Sequence, residues 1–161
     1  MIPKISEDLE KAENLEDVFD LVKETVRKTT GESRAGINLG FMELGNSSNG
    51  ITNAFYPVGS NIIVLNKSAI RRITQTDPDY LKPYLFTILL HEYLHSLGYL
   101  DERTTRILTY RICTQVLGKH HVSSELAKDM NKFLPLVMHP GGHPAYEGLE
   151  LIEISEDDYI G

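Results

Sequence analysis

From Tyr84 to Leu97 the chain sets apolar side chains on every side of a helix: Tyr84, Leu85, Phe86, Ile88, Leu89, Leu90, Tyr93, Leu94 and Leu97. A helix lying on a protein surface shows one apolar stripe and one polar stripe. A helix that is apolar all round must be surrounded, so this run is predicted to be the central helix, with the other elements packed against it. It falls short of the roughly 20 apolar residues that a membrane span needs. It also carries His91, Glu92 and His95, which are costly to bury without a partner.

Those residues form the pattern His91-Glu92-Tyr93-Leu94-His95, or HExxH. Positions i and i+4 lie one turn apart on one helix face. Two imidazoles placed so can share one Zn²⁺, while Glu92 projects from the neighbouring face. There it can take a proton from an activated water as general base without ligating the metal. Chance predicts about 0.02 such motifs in a chain of this composition. The continuation Ser96-Leu97-Gly98-Tyr99-Leu100-Asp101-Glu102 sharpens the pattern. Gly98 allows a sharp turn through positive φ that returns the chain toward the metal. Catalytic zinc usually takes three protein ligands and keeps one open position. Asp101 or Glu102 can supply the third; the offset from His95 and the short side chain favour Asp101, with Glu102 as the alternative.

The stretch HEYLHSLGYLD, His91 to Asp101, resembles the zincin metallopeptidases and fits the metzincin pattern HExxHxxGxx(H/D). The order of elements over residues 15 to 118 is similar to the compact minigluzincins, in which the ligand is a glutamate on the following helix. That resemblance implies Glu102 as ligand and Asp101 as a helix cap. It also implies that the strand before the active-site helix is the rim along which an extended substrate binds, a place taken here by Asn61 to Leu65. Metzincins carry a methionine turn beneath the metal, for which Met138 is the candidate, with Met130 the one other downstream methionine. The histidine and glycine spacing is also similar to zinc-dependent endoribonucleases of ribosomal RNA maturation. Those have a glycine at the position of Glu92 and a histidine at that of Asp101, and both departures favour a peptidase. A non-catalytic metal-binding protein is the third reading, against which Glu92 argues.

The rest of the chain reads as a small α+β zincin-like domain over residues 1–139, followed by an acidic tail, 140–161. Ser6 caps a short first segment. Asn14 precedes an amphipathic backing helix carrying Val18, Leu21, Val22 and Val26, which Gly31 stops. Ile37, Leu39 and Phe41 alternate with more polar neighbours, and Ile51 to Tyr56 and Asn61 to Leu65 are apolar runs; these predict a short, mostly sequential sheet of three strands or slightly more. Gly45 to Gly50 reads as loop. Asp77-Pro78 resembles a cap, and Pro83 restarts or kinks the central helix. Helices follow from about Glu102 to Leu117 and near Ser123 to Phe133.

The 161 residues carry a net charge of −7, and no basic stretch tracks a phosphate backbone, so nucleic acid is not expected as a partner. A peptide or protein substrate and one catalytic Zn²⁺ are expected, without membrane association. Cys113 is the one cysteine, so no internal disulfide forms. With no apolar leader at the N-terminus, this fits a cytoplasmic location. His120 and His121 read as an exposed turn, His139 and His143 as loop histidines able to ligate, Tyr99 and Tyr110 as packing residues, and Cys113 as an inert core thiol. Leu149, Leu151, Ile152 and Ile154 suit β-pairing, so the tail is a candidate to occupy the cleft of its own or a neighbouring molecule.

Overall fold

The computed structural model describes residues 3–47, 50–130 and 150–152. The architecture is α+β and mainly helical. Helices α1 (Pro3–Lys11) and α2 (Leu15–Thr30) precede five short strands, β1 (Asn38–Met42), β2 (Asn46–Ser47), β3 (Gly50–Ile51), β4 (Ala54–Phe55) and β5 (Ile62–Asn66). Then come α3 (Lys67–Thr76), a 3-10 turn (Pro78–Tyr80), α4 (Leu81–Ser96), α5 (Glu102–Leu117), α6 (Val122–Lys128) and β6 (Glu150–Ile152). Among the described residues no helix is long and apolar enough to cross a membrane.

The predicted central helix is α4. Eleven of its residues are buried, including Tyr84, Phe86, Leu89, Leu90, Tyr93 and Leu94, and it packs against α1, α2, α3, α5, α6, β4 and β5. Pro83 does not kink it: α4 begins at Leu81, so the proline falls in the first turn, where a missing N–H leaves no helical bond unmade. The Pro83 carbonyl accepts from Thr87 Oγ1 and Ser123 Oγ, which ties α6 to α4.

The main sheet runs β4-β5-β1-β6. β1 and β5 are parallel, with Leu39 opposite Ile63 and Phe41 opposite Leu65. These four side chains face the core with α2 and α4, whereas Met42, Val64 and Ile62 face a smaller cluster on the other side. The period-2 alternation read from the sequence is thus the alternation that buries both faces.

The stretch from Gly45 to Tyr56 differs from the expected loop followed by a single strand. The predicted loop and the run from Ile51 contain a separate hairpin, β2–β3, and only Ala54–Phe55 returns to the main sheet, antiparallel to β5. The cause is a buried side chain. Asn66 Nδ2 donates to the carbonyls of Gly45 (3.1 Å) and Thr52 (2.7 Å), and Asn66 Oδ1 accepts from Leu44 N (3.1 Å) and Ser68 N (3.0 Å). One amide thereby closes the excursion at both ends and caps α3. Two consequences follow for the rim. Asn61 to Leu65 is interior, between β4 and β1, and the edge beside α4 is β4.

Part of the acidic tail is a strand. β6 pairs antiparallel with β1, Leu39 opposite Ile152 and Phe41 opposite Glu150. It therefore lies on the sheet edge opposite β4, which moves these residues away from the rim where the tail was expected to bind. At the other end, Ser6 lies inside α1, which starts at Pro3. Asn14 caps α2 as expected, accepting from Asp17 N, and Gly31 ends it at φ 77°.

Candidate metal centre

His91 and His95 sit one turn apart near the end of α4, both largely buried, and their Nε2 atoms are 3.1 Å apart. Glu102, the first residue of α5, reaches back to both: Oε1 is 2.8 Å from His91 Nε2 and Oε2 is 3.0 Å from His95 Nε2. The three side chains offer donor atoms that all lie within 4.8 Å of one another. Asp101, the residue favoured from the sequence, is not among them. Its carboxylate accepts from Thr104 N (2.8 Å) and Thr104 Oγ1 (2.7 Å), which caps α5 and holds its carboxyl below the usual range. The physical reason is division of labour at a tight corner. The residue at N-cap has extended backbone and spends its side chain on the helix it starts. The next residue, at the first helical position, points the other way and has the longer reach.

The corner itself is built for this. Leu97 N and Gly98 N bond back to carbonyls of the last turn of α4, and Gly98 takes φ 109°. Nothing lies within 4 Å of where a Cβ would be, so the requirement there is conformational, not steric. Tyr99, read as a packing residue, holds the loop by three contacts. Its hydroxyl donates to Glu32, and its carbonyl accepts from Thr105 Oγ1 (2.7 Å) and from His95 Nδ1 (2.6 Å).

That last contact decides the chemistry of the donor set. A carbonyl only accepts, so His95 Nδ1 carries a hydrogen, which leaves Nε2 as the nitrogen whose lone pair can ligate a metal. This lone pair faces a carboxylate oxygen and a second imidazole at about 3 Å. Three electron-rich atoms converge on one point, an arrangement that requires a proton or a cation between them. A tetrahedral zinc site spaces its ligand atoms by about 3.4 Å, so the observed separations need to open by only a few tenths of an ångström. His91, His95 and Glu102 therefore fit a single metal ion. Burial lowers the pKa of His91, with opposition from Glu102 and reinforcement from His95 and Arg106, which favours the neutral, ligating ring.

Glu92 lies beside the triad but outside it, 8% exposed. Burial, with the nearby Glu102 charge, pushes its carboxyl up to about 8, against a main-chain hydrogen bond from Tyr56 that lowers it. His91, Glu92 and Glu102 line one cleft of about 340 Å³, together with Asn53 and Ala54 at the rim, Ile88 on α4, Arg106 and Thr109 on α5, and the end of α6.

Two contributors were invisible in the sequence. Arg34 fans out over the rim, its Nη1 donating to Tyr56 Oη (2.9 Å) and the Ser96 carbonyl (2.7 Å), its Nη2 to the Ser60 carbonyl (2.8 Å). It joins the β4–β5 connection to the end of α4. Tyr84, fully buried, donates to Asn53 Oδ1 at 2.8 Å and fixes the residue before β4. No local pattern signals either contact, since each spans more than 20 residues. Arg106 did carry a signal, one turn beyond Glu102 on the same helix. His121 caps α6 through Nδ1 and is half-buried rather than in an exposed turn. Cys113 is buried, its thiol pushed up to about 12, as an inert core residue should be. Met138, His139 and His143 lie outside the described residues. Compared with protein families, with curated proteins and with solved structures, the chain matches none.

Proposed function

We propose that this chain is a zinc-dependent metallopeptidase. The observation that carries the reading is Glu92: a carboxyl buried at the side of a His-His-Glu donor set, in the same cleft, and not one of the donors. A structural metal site has no use for a neighbouring base, whereas peptide hydrolysis needs one. A zinc ion held by His91, His95 and Glu102 supplies Lewis-acid polarisation of a scissile carbonyl and makes water acidic enough to lose a proton near neutral pH. The chain supplies the remaining functions. Glu92 accepts the proton of the attacking water and passes it to the leaving amine. The Tyr56 main-chain N–H orients that carboxylate. His95 is held in its ligating tautomer by the Tyr99 carbonyl. β4, on the sheet edge beside α4, offers main-chain groups to an extended peptide.

The test joins metal analysis to cleavage of a quenched fluorescent peptide library. The purified protein should hold one zinc per chain, cleave the library, lose turnover to a chelator and regain it on zinc addition. Absence of stoichiometric zinc binding at micromolar metal would overturn the reading, as would chelator-insensitive cleavage.

A further inference from the structure

Arg106 is the first residue one turn beyond Glu102 on α5, an i,i+4 spacing at which a helical carboxylate and guanidinium ordinarily pair. Here they do not. Both Glu102 oxygens are turned to His91 and His95, and among the described residues Arg106 has no hydrogen bond or ion pair. Its side chain instead lines the cleft that opens from the metal centre, where Lys128, at the end of α6, lines it too. A positive charge beside a cation site is a liability. Arg106 lines the same cleft as His91 and Glu102, so its charge works against a metal ion held there. The arrangement becomes favourable once an anion enters the cleft between them.

We infer that Arg106, assisted by Lys128, forms a carboxylate-binding subsite next to the metal centre, which selects substrates carrying an acidic side chain or a free C-terminal carboxylate close to the scissile bond. The inference rests on the peptidase reading for the word substrate, and on the cleft alone for the carboxylate. Guanidinium matches carboxylate by two parallel N–H···O bonds, so it distinguishes a carboxylate from an amide of nearly equal size. The cleft, at about 340 Å³, is at the small end of ligand sites, with Ile88 and Leu126 as apolar walls. It therefore takes a side chain or a chain end, not a folded surface. The net charge of −7 repels acidic peptides at long range, and Asp129 lines the cleft beside Lys128, so recognition depends on Arg106 and Lys128 outweighing that carboxylate locally.

The experiment separates binding from turnover. Zinc-loaded Glu92→Gln protein, with metal content verified, is titrated with N-acetylated peptides that differ in one position, Asp against Asn or Glu against Gln. Each is made with a free C-terminal acid and as the amide, so that side-chain and chain-end carboxylates are told apart. One acidic form should bind about ten- to a hundredfold tighter than its neutral partner, the range of a charge-assisted pair. Adding Arg106→Gln should erase that preference, and Arg103→Gln, on the same helix but not lining the cleft, should leave it. Equal affinity for acid and neutral forms, no binding of any peptide, or equal loss in the Arg103 control overturns the subsite. An Arg106-dependent preference in a protein that cleaves none of these peptides keeps the subsite and removes the peptidase. Cleavage without acid preference does the reverse.

Discussion

At the scale of single residues, Glu92 and Glu102 do different work, and substitution separates them. Glu92→Gln should keep zinc and lose about 10²- to 10⁴-fold in turnover, the usual worth of a general base, measured as kcat on any peptide the parent cleaves. Glu102→Gln should lose zinc affinity by more than the ~10–100-fold that removal of an outer partner costs. Asp101→Asn should hold zinc within a few-fold, since asparagine caps a helix as well as aspartate. Competition with a chromophoric chelator measures both. Glu92 also makes the metal-free protein sensitive to pH. Its folded pKa, about 8, lies above the ordinary 4.5, so between these values the folded state holds a proton that the unfolded state has released. Stability must then fall as pH rises. His91 acts oppositely, because its lowered pKa costs stability only below about 6.5. Between pH 6.5 and 8 the raised pKa of Glu92 therefore works against stability, and the chelated protein should lose up to about 2 kcal/mol in urea unfolding. Glu92→Gln should flatten that slope.

At the scale of elements, the site depends on the corner between α4 and α5. Gly98 at φ 109° sets the direction in which α5 leaves. Gly98→Ala forces an L side chain into the left-handed region, at about 1–2 kcal/mol. Because the strain falls between His95 and Glu102, zinc affinity should fall with stability, a coupling that a surface glycine would not show. Paired chelator competition and urea unfolding test it. Arg34 performs the corresponding task at the rim. Its three bonds reach Tyr56, Ser60 and Ser96, so the strand beside the cleft and the end of α4 move as one body. The i,i+4 rule places His91 and His95 together; bringing Glu102 to them depends on the corner, and the cleft wall depends on Arg34.

At the scale of the whole molecule, α4 is enclosed by helices on one side and the sheet on the other, so a cavity there has no route to collapse. Leu89→Ala, at a fully buried position, should cost about 2–5 kcal/mol. On the proposed function, a zinc ion held by His91, His95 and Glu102 would tie α4 to α5 and bind only the folded chain, so saturation at a thousand times Kd should add about 4 kcal/mol. A rise in Tm on zinc addition that is absent in His91→Ala checks the coupling. β6 covers the outer edge of β1. Truncation after Pro140 uncovers that edge, and the expected outcome is lower stability and self-association, read by light scattering, rather than release of the cleft.

The buried helix, its stop at Gly98, the start of α2 after Asn14 and its stop at Gly31, the presence of strands β1 and β5, and the pair His91 and His95 with Glu92 beside them were legible in the sequence, whereas the burial of Met42 and Val64 on the second face of the sheet was not. Each legible feature depends on a period of 3.6 or 2, or on the backbone preference of one residue, and such terms act within a few positions along the chain. The choice of Glu102 over Asp101 was not legible. Both stand where a ligand can stand, and only the cap bonds to Thr104 and the exit angle of α5 assign one carboxylate to the helix and the other to the imidazoles. The interior place of Asn61 to Leu65, the rim at β4 and the position of β6 were likewise decided by tertiary contacts, through Asn66, Tyr84 and the free edge of β1. Strand order is a matter of which distant segments meet, and the side chains that decide it bond to residues far from them in sequence, where local periodicity has nothing to say.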